Sequence, residues 1–261
     1  MTPDISEFSY GFALTQELVA LAGKRLRAAP IFPSLIEEGK AGGGYDVNLD
    51  IPGFPMFLQF KRSDCMVSSR AKEIQQGHNF NLPFYRFKIT ERSRSDQHDL
   101  LLALDSGKNQ VFYAAPRFHT VMELNAAYLA AKVSRRSLYI RPRDIGRLDD
   151  NAHHVAFDKV RILLCSDPRE IDGLRGDAFP TVLRERRTAD DRPLRSGPLD
   201  DVLSHVEHLL QDRSLPTDIV DVGRRGGDEG HEKLRRLADF SLRYFGTQLF
   251  IVQDAPPEGE T

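Results

Sequence analysis

Hydrophobic and polar residues alternate twice within residues 44–61, on either side of a short turn. In residues 45–50 the odd positions are apolar and the even positions are polar, and in residues 55–61 the even positions are all apolar. Because side chains alternate across a strand, both runs predict amphipathic β-strands. Residues 51–54, Ile-Pro-Gly-Phe, have the composition of a turn, so the whole stretch predicts a hairpin.

The register of this hairpin can be read from its apolar face. With a four-residue loop, the numbers of opposed residues sum to 105, and the apolar residues of the two strands then face each other. The same register sets Asp46 opposite Gln59 and Gly44 opposite Lys61. Opposed side chains have Cβ atoms about 5 Å apart. A carboxylate, an amide and an ammonium group are therefore predicted at one end of one sheet face, and the glycine leaves space beside the lysine.

This arrangement resembles the core motif of the PD-(D/E)xK nucleases, a superfamily that includes restriction endonucleases and Holliday-junction resolvases. The pattern is an Asp at the start of one strand and (Glu/Asp/Gln)-x-Lys on the next, and it is matched here by Asp46 and by Gln59, Phe60 and Lys61. The chain departs from the commonest form at two positions: Tyr45 stands where a proline is usual, and Gln59 where an acid is usual. The resemblance covers roughly the first 115 residues.

The order of the predicted elements also resembles the α-β-β-β-α-β plan of that superfamily. The elements are a helix over residues 10–28, strands near 32–37, 45–50 and 55–61, a helix near 66–76 and a strand near 83–90, with a further strand at 110–116. The resemblance implies a restriction-endonuclease-like core, in which helices flank a mixed sheet. We therefore expect an α/β protein.

Glu17 falls on the apolar stripe of the first predicted helix, three residues after Leu14 and four before Leu21. A carboxylate that faces a protein core needs a hydrogen-bonding partner or a metal ion. Nucleases of this superfamily often carry a glutamate on the helix that precedes the sheet. The resemblance thus adds Glu17 to the predicted site.

The resemblance implies metal-dependent hydrolysis of nucleic acid, with DNA as the first expectation, in defence against foreign DNA or in DNA repair. The metal would be Mg²⁺ or Mn²⁺, bound by Asp46, Gln59 and the backbone carbonyl of Phe60, with Glu17 ligating directly or through water. Lys61 would position or help to deprotonate the attacking water and would offset the charge that develops on the phosphorane. Asp46, Gln59, Lys61 and Glu17 are the predicted catalytic residues.

Two other interpretations stay open. A glutamine in the acid position removes one negative charge from the site, so metal binding should be weaker. A catalytically silent nuclease fold, which binds nucleic acid or a protein partner within a larger complex, explains the same pattern. The third interpretation is an unrelated α/β binding module whose hairpin is only structural. Metal bound between Asp46 and Gln59 would favour the enzyme.

The net charge of −2 gives no overall attraction to nucleic acid, so contact with phosphates needs a local basic cluster. The best candidate follows a predicted helix near 118–132 and has Tyr139 within it, and it comprises Arg135, Arg136, Arg141 and Arg143. The two cysteines have no metal-binding spacing, and neither a signal peptide nor an apolar run of about 18 residues occurs. We expect a cytoplasmic protein that does not enter the membrane.

Composition divides the chain late in the sequence. Residues 186–200 are rich in Arg, Asp, Pro and Gly, which favours a linker or an exposed loop. We therefore expect a nuclease-like α/β domain over residues 1–185. Residues 201–261 are expected to form a mostly helical C-terminal appendage that is peripheral to the nuclease sheet and does not complete it. That element is predicted to contain helices near 199–211 and 231–244, a strand at 248–252 and a disordered tail.

Overall fold

The computed structural model describes residues 1–23, 52–105, 110–185, 192–217 and 229–254. Within them the helices are α1 (Glu7–Ala22), α2 (Lys72–Gln75), α3 (Gln97–Leu104), α4 (Val121–Leu129), α5 (Pro142–Ile145), α6 (Phe179–Glu185), α7 (Pro198–Asp212) and α8 (Glu229–Arg243). The strands are β1 (Gly53–Phe60), β2 (Asp64–Met66), β3 (Phe84–Ile89), β4 (Gln110–Pro116), β5 (Ser137–Ile140), β6 (His153–Phe157), β7 (Ile162–Leu164), β8 (Arg169–Glu170), β9 (Leu174–Arg175) and β10 (Gln248–Gln253). Helices and strands alternate along the chain, so the fold is of the α/β class, as the sequence predicted.

The chain forms two compact units, each assembled from three segments. The first unit comprises Met1–Leu21, Gln59–Leu102 and Phe112–Leu183. The second comprises Ala22–Leu58, Ala103–Val111 and Arg184–Thr261. No described helix is long and apolar enough to cross a membrane.

One sheet of the first unit has the strand order β2-β3-β6-β7-β8, and each neighbouring pair is antiparallel. Its longest pairing joins β3 to β6, with Tyr85 opposite Phe157 and Ile89 opposite His153. The rings of Phe87 and Phe157 are fully buried and meet edge to face, with centroids 6.3 Å apart. Such aromatic pairs add specific geometry to a large buried apolar area, and they fix how these two strands pack.

The other sheet of the first unit contains the end of β1 together with β4, β5 and β9. The backbone N–H of Lys61 donates to the carbonyl oxygen of Ala114 at 2.9 Å, so the chain after β1 still lies beside β4. β5 pairs antiparallel with both β4 and β9. All seven residues of β4 are buried, which explains why its sequence is continuously apolar rather than alternating.

Helix α1 packs closely on the end of β1. A Cβ atom at Gly11 would lie 2.5 Å from Cδ2 of Phe60, so only glycine permits this approach. Tyr10 is fully buried, and its ring meets those of Phe60 and Phe118 edge to face, each with centroids 5.9 Å apart. The Tyr10 hydroxyl donates to Oγ of Ser137 at 2.8 Å, which satisfies its only polar atom.

The second unit contains a two-strand pairing and two amphipathic helices. β1 and β10 are antiparallel, from Gly53 opposite Gln253 to Leu58 opposite Gln248. Helices α7 and α8 pack against each other along buried leucines and valines. An ion pair of 2.7 Å between Lys233 and Asp200 borders that contact.

The pairing of β10 with β1 corrects the interpretation of residues 201–261 as an appendage outside the main sheet. The helices α7 and α8 and the final strand form close to their predicted positions. The strand, however, lies in register with six residues of β1. Its apolar sequence is explained by this pairing, because five of its six residues are buried.

The other predicted elements have different outcomes. The predicted strands at 32–37 and 45–50 lie outside the described residues. The other predicted strand of the hairpin is β1, which has β10 on one side and β4 on the other. Because a strand pairs along two edges only, the predicted register, in which residues 47 and 49 face Leu58 and Met56, is not the pairing of β1. The helix expected near 66–76 is only Lys72–Gln75, because residues 64–66 form a strand that pairs with β3. The strands expected at 83–90 and 110–116 are confirmed as β3 and β4.

Candidate functional site

Gln59 and Lys61 lie at the end of β1, where the sequence predicted one strand to carry both. The apolar run of Met56, Phe57 and Leu58 forms the strand and is buried, as β-propensity and burial favour. Residues two apart on an extended chain project to the same side. The amide and the ammonium group therefore project from the same side of the chain at this strand end.

Gln59 contributes an amide oxygen that has no partner. Its side chain is 4% exposed, and Oε1 accepts no hydrogen bond from any residue that the structure describes. A buried polar atom without a partner is destabilising by about 1–3 kcal/mol, so such atoms mark places where a ligand, an ion or water binds. Oε1 of Gln59 is thus the clearest vacant acceptor near the predicted site.

Lys61 is a half-buried cation. Its Nζ atom lies 5.7 Å from the centroid of the Tyr113 ring, and within the described part of the chain it forms no ion pair with a carboxylate. Burial lowers the pKa of Lys61, and the negative charge of Glu7 opposes that shift only in part. A desolvated ammonium group without a counter-ion attracts an anion strongly.

A buried histidine and tyrosine lie next to this lysine. Nδ1 of His98 is 2.8 Å from the Tyr113 hydroxyl, and Nε2 is 2.8 Å from the carbonyl oxygen of Gly146. Because a carbonyl oxygen only accepts, Nε2 carries the proton, and the Tyr113 hydroxyl donates to Nδ1 in the neutral ring. Burial lowers the pKa of His98, and the positive charge of Lys61 adds to this effect. Burial also raises the pKa of Tyr113, so both groups stay neutral near pH 7.

His98 is the second residue of α3. Its contact with Tyr113 was not predicted. Tyr113 lies in the middle of an apolar strand, where its hydroxyl is the only side-chain polar atom between Val111 and Ala115. A buried tyrosine needs a partner for that hydroxyl, and this requirement was the available signal.

Glu17 has two backbone partners. One carboxylate oxygen accepts from the N–H of Val133 at 2.7 Å, and the other accepts from the N–H of Ser134 at 3.1 Å. The sequence predicted that this carboxylate needs a partner or a metal, and the turn after α4 supplies the partner. Since each oxygen already accepts a hydrogen bond from the backbone, the Glu17 carboxylate is poorly suited to coordinate a metal ion directly.

The remaining predicted ligand, Asp46, lies outside the described residues. Among the residues that are described, no three His, Cys, Asp or Glu side chains come together as a metal site. An amide oxygen is an acceptable ligand for Mg²⁺. Of the predicted side-chain ligands with described positions, only Gln59 therefore presents a vacant oxygen.

The four predicted nucleic-acid-binding arginines fall into two pairs at opposite ends of β5. Arg135 and Arg136 precede this strand, and Arg141 and Arg143 follow it. Five residues of extended chain from 136 to 141 span about 17 Å, so these arginines do not form one compact cluster.

Each pair has one arginine that lies over an aromatic ring and one that is exposed. The Arg136 guanidinium lies over the ring of Phe118 at 5.3 Å and donates to the carbonyl oxygen of Arg117. The guanidinium of Arg141 lies over the ring of Phe112 at 5.5 Å. Arg135 and Arg143 are exposed. A guanidinium group stacked on an aromatic ring keeps its positive charge, so both pairs retain the charge that phosphate contact needs.

Comparison of the chain with protein-family models, with curated proteins and with solved structures gives no match.

Proposed function

We propose that this chain is a metal-dependent nuclease with a restriction-endonuclease-like core, acting on phosphodiesters of nucleic acid and on DNA in the first place. The observation that carries the proposal is the pair formed by Gln59 and Lys61. Within the described residues, a buried amide oxygen that accepts no hydrogen bond and a desolvated ammonium group that forms no ion pair occur two residues apart at one strand end. A metal cation would bind the amide oxygen, and a phosphate oxygen of the phosphodiester would bind the ammonium group.

Lys61 has two possible tasks in this chemistry. As an ammonium ion it donates to a non-bridging phosphate oxygen, and it stabilises the charge that develops there in the transition state. Its lowered pKa also makes the neutral amine more accessible than in an exposed lysine, so it can accept a proton from the attacking water. The neighbouring Tyr113 and His98 are neutral and add no competing positive charge.

Mg²⁺ or Mn²⁺, when bound, would supply a water of lowered pKa and neutralise phosphate charge. The proposed ligands are Asp46, Oε1 of Gln59 and the backbone carbonyl of Phe60. Both carboxylate oxygens of Glu17 accept backbone hydrogen bonds, so it acts at most through water. Its part in the proposal is to hold α1 against the turn after α4.

A second candidate function is binding of nucleic acid or of a protein partner without cleavage, within a larger complex. Two observations favour it. Gln59 stands at the position where the resembled motif usually has an acid. The Glu17 carboxylate on the helix accepts hydrogen bonds from backbone N–H groups. A site with fewer negative charges binds divalent cations more weakly. In this case Lys61 contacts phosphate without taking part in hydrolysis.

The test is cleavage of plasmid DNA, single-stranded DNA and RNA with Mg²⁺, with Mn²⁺ and with EDTA. Lys61→Ala should lower the rate about 100-fold or more, as expected for the loss of one transition-state charge contact. The control is Lys132→Ala, which removes an exposed lysine after α4 and should leave the rate unchanged. Circular dichroism and thermal melting check that both variants fold.

The same assay separates the two candidates. DNA binding by the wild type with no cleavage under any metal condition would transfer the assignment to the binding protein. Because a subunit of a complex can be inactive alone, the assay is repeated with the proteins that co-purify. Cleavage by Lys61→Ala at the wild-type rate would contradict the catalytic proposal.

A further inference from the structure

A cavity of about 440 Å³ opens on the surface of the first unit. Its walls include the loop at Asn81, the ring of Tyr85 and the three cationic residues Arg117, Arg136 and Lys159. Cavities that bind small molecules typically measure about 300–1,000 Å³. The size and the cationic lining are those of a binding pocket, and the chemistry of its walls indicates the class of ligand that it binds.

Two of the cations are held by backbone carbonyls. Arg117 donates from Nη2 to the carbonyl oxygen of Arg135 at 3.0 Å, and Arg136 donates from Nη2 to that of Arg117 at 3.1 Å. The backbone N–H of Arg117 donates in turn to the carbonyl oxygen of Arg136 at 2.7 Å. These reciprocal bonds fix both guanidinium groups without neutralising them, because a carbonyl group carries no net charge. Two carboxylates act on these cations: Glu123 forms an ion pair of 3.6 Å with Arg136, and the negative charge of Asp177 raises the pKa of Arg117 against the effects of burial and of the neighbouring arginines.

Further positive charge surrounds Arg117. Arg175 donates to the carbonyl oxygens of Asp158 at 3.0 Å and Val160 at 2.5 Å, so it too is held by backbone groups. Burial lowers the pKa of Arg117, and the charges of Arg175 and Arg136 lower it further. Lys159 is exposed at the rim, and within the described residues it has no ion-pair partner. Like charges gathered around a cavity repel one another unless an anion binds among them.

Asp158 does not supply that anion. Its carboxylate accepts from the backbone N–H groups of Asn81, Val160 and Arg161, each at 2.7 Å, and from the Asn81 amide at 3.1 Å. These bonds lower the pKa of Asp158, with burial opposing them, and they shape the turn between β6 and β7. The carboxylate keeps its negative charge, but its oxygens accept from these neutral donors, and among the described residues it forms no ion pair with Arg117 or Arg136. The forked donors of the two arginines are therefore not engaged by Asp158.

We propose that this pocket binds the terminal phosphate of a nucleotide, either a free nucleotide or the phosphorylated end of a nucleic-acid strand. Forked guanidinium donors match phosphate oxygens, and Lys159 adds a mobile charge at the rim. Leu82, Pro83 and Tyr85 form apolar walls of a kind that sugar and base contact. A phosphate within a strand continues on both sides and needs an open groove, whereas a cavity accommodates a chain end. This inference is independent of the nuclease proposal.

The experiment measures equilibrium binding to the full chain by titration calorimetry in EDTA. The probes are inorganic phosphate, adenosine monophosphate, and one oligonucleotide with either a 5′-phosphate or a 5′-hydroxyl end. Lys159→Glu reverses an exposed charge with no fixed contacts, and it should weaken phosphate-end binding by at least about tenfold. Arg117→Lys keeps the charge but loses the fork and should also weaken binding. The matched control is Lys72→Glu, an exposed lysine on α2 that does not line the cavity.

Each outcome decides the question. Binding of the monophosphate or the 5′-phosphorylated strand, lost in Lys159→Glu and kept in Lys72→Glu, supports the pocket, and the tighter of the two names the source. No binding of any probe at about 1 mM, a millimolar limit that marks negligible affinity, overturns it. Equal binding of the 5′-hydroxyl strand, or an equal loss in Lys72→Glu, overturns it as well. Since no metal is present and no turnover is measured, failure here is distinct from failure of the nuclease proposal.

Discussion

Glu17 and Val133 are joined by a hydrogen bond of 2.7 Å between a carboxylate oxygen of α1 and the backbone N–H that follows α4. The second oxygen bonds the next N–H, that of Ser134, at 3.1 Å. Two donors of a tight turn are thus satisfied by one side chain from a distant helix. The same glutamate that resembles a metal ligand in the sequence is a structural anchor in the fold.

The hydrogen bonds of Glu17 to the backbone should contribute to the stability of the fold. Glu17→Gln replaces one acceptor oxygen with an NH₂ group that faces a donor, so one backbone N–H loses its partner. We expect the free energy of unfolding to fall by about 1–3 kcal/mol, measured by urea denaturation. Glu185→Gln, at the exposed end of α6, is the control and should change stability little. If the loss were seen only in the presence of Mg²⁺, a metal-binding role would replace the structural one.

Gln59→Glu tests the vacant acceptor. A carboxylate at this buried position restores the acid of the resembled motif, but it introduces a charge that burial disfavours. We expect the variant to be less stable than the wild type in EDTA and to regain stability with Mg²⁺. Metal at about 100 times its dissociation constant adds about 2.7 kcal/mol. Thermal melting against metal concentration measures this, and a variant that does not respond to metal would exclude cation binding at residue 59.

The buried histidine predicts how stability depends on pH. Burial lowers the pKa of His98 from its ordinary 6.5, so the unfolded chain binds a proton where the folded chain does not. The pKa of His154 is lowered in the same direction, also mainly by burial. Stability should therefore be complete above about pH 6.5, fall as the pH drops below that value, and level off below the folded-state pKa values.

Urea denaturation between pH 7.5 and pH 5, a range around the ordinary histidine pKa of about 6.5, measures this slope. His98→Asn should flatten it, because the variant has one fewer group that gains a proton on unfolding. The control is His208→Gln, which removes an exposed histidine of α7. An unchanged slope in His98→Asn would show that His98 titrates alike in both states.

Deletion of the last strand tests the sheet. Removing residues 248–261 strips β1 of the partner that pairs with six of its residues, and it exposes apolar side chains of that strand. We expect the shortened protein to aggregate or to lose cooperative unfolding. Deletion of residues 255–261 alone leaves β10 intact and is the control. A soluble, cooperatively folding protein that lacks 248–261 would support the sequence interpretation of a peripheral C-terminal element.

Elements with a strong local pattern were predictable from the sequence. The strand at 110–116 and the helices near 199–211 and 231–244 correspond to β4, α7 and α8, because continuous apolarity or helical spacing is contained within each segment. The partner of β1 was not predictable. Many apolar strands could pair with it, and nothing local to residues 53–60 specifies one that follows about two hundred residues later.

The site divides in the same way. Alternation along a single strand predicts that Gln59 and Lys61 share a side, since this depends only on the extended backbone. The contacts of Tyr113 with His98, and of Arg117 with Arg136, join separate elements and depend on how these pack. Burial, which lowers the pKa of Lys61, is likewise a property of the assembled structure. The sequence thus predicts the candidate residues of the site more readily than it predicts the contacts and the burial of those residues.

The pairing of β1 with β10 also sets an order of events during synthesis. Gly53 lies opposite Gln253, and 253 minus 53 gives a separation of 200 residues. Residues this far apart make contacts of high sequence separation, which form slowly because the loop between them must close first. On the ribosome, the apolar strand at residues 53–60 remains without this partner until residues 248–253 have emerged. Chaperone binding to nascent chains during that interval would protect the protein from aggregation.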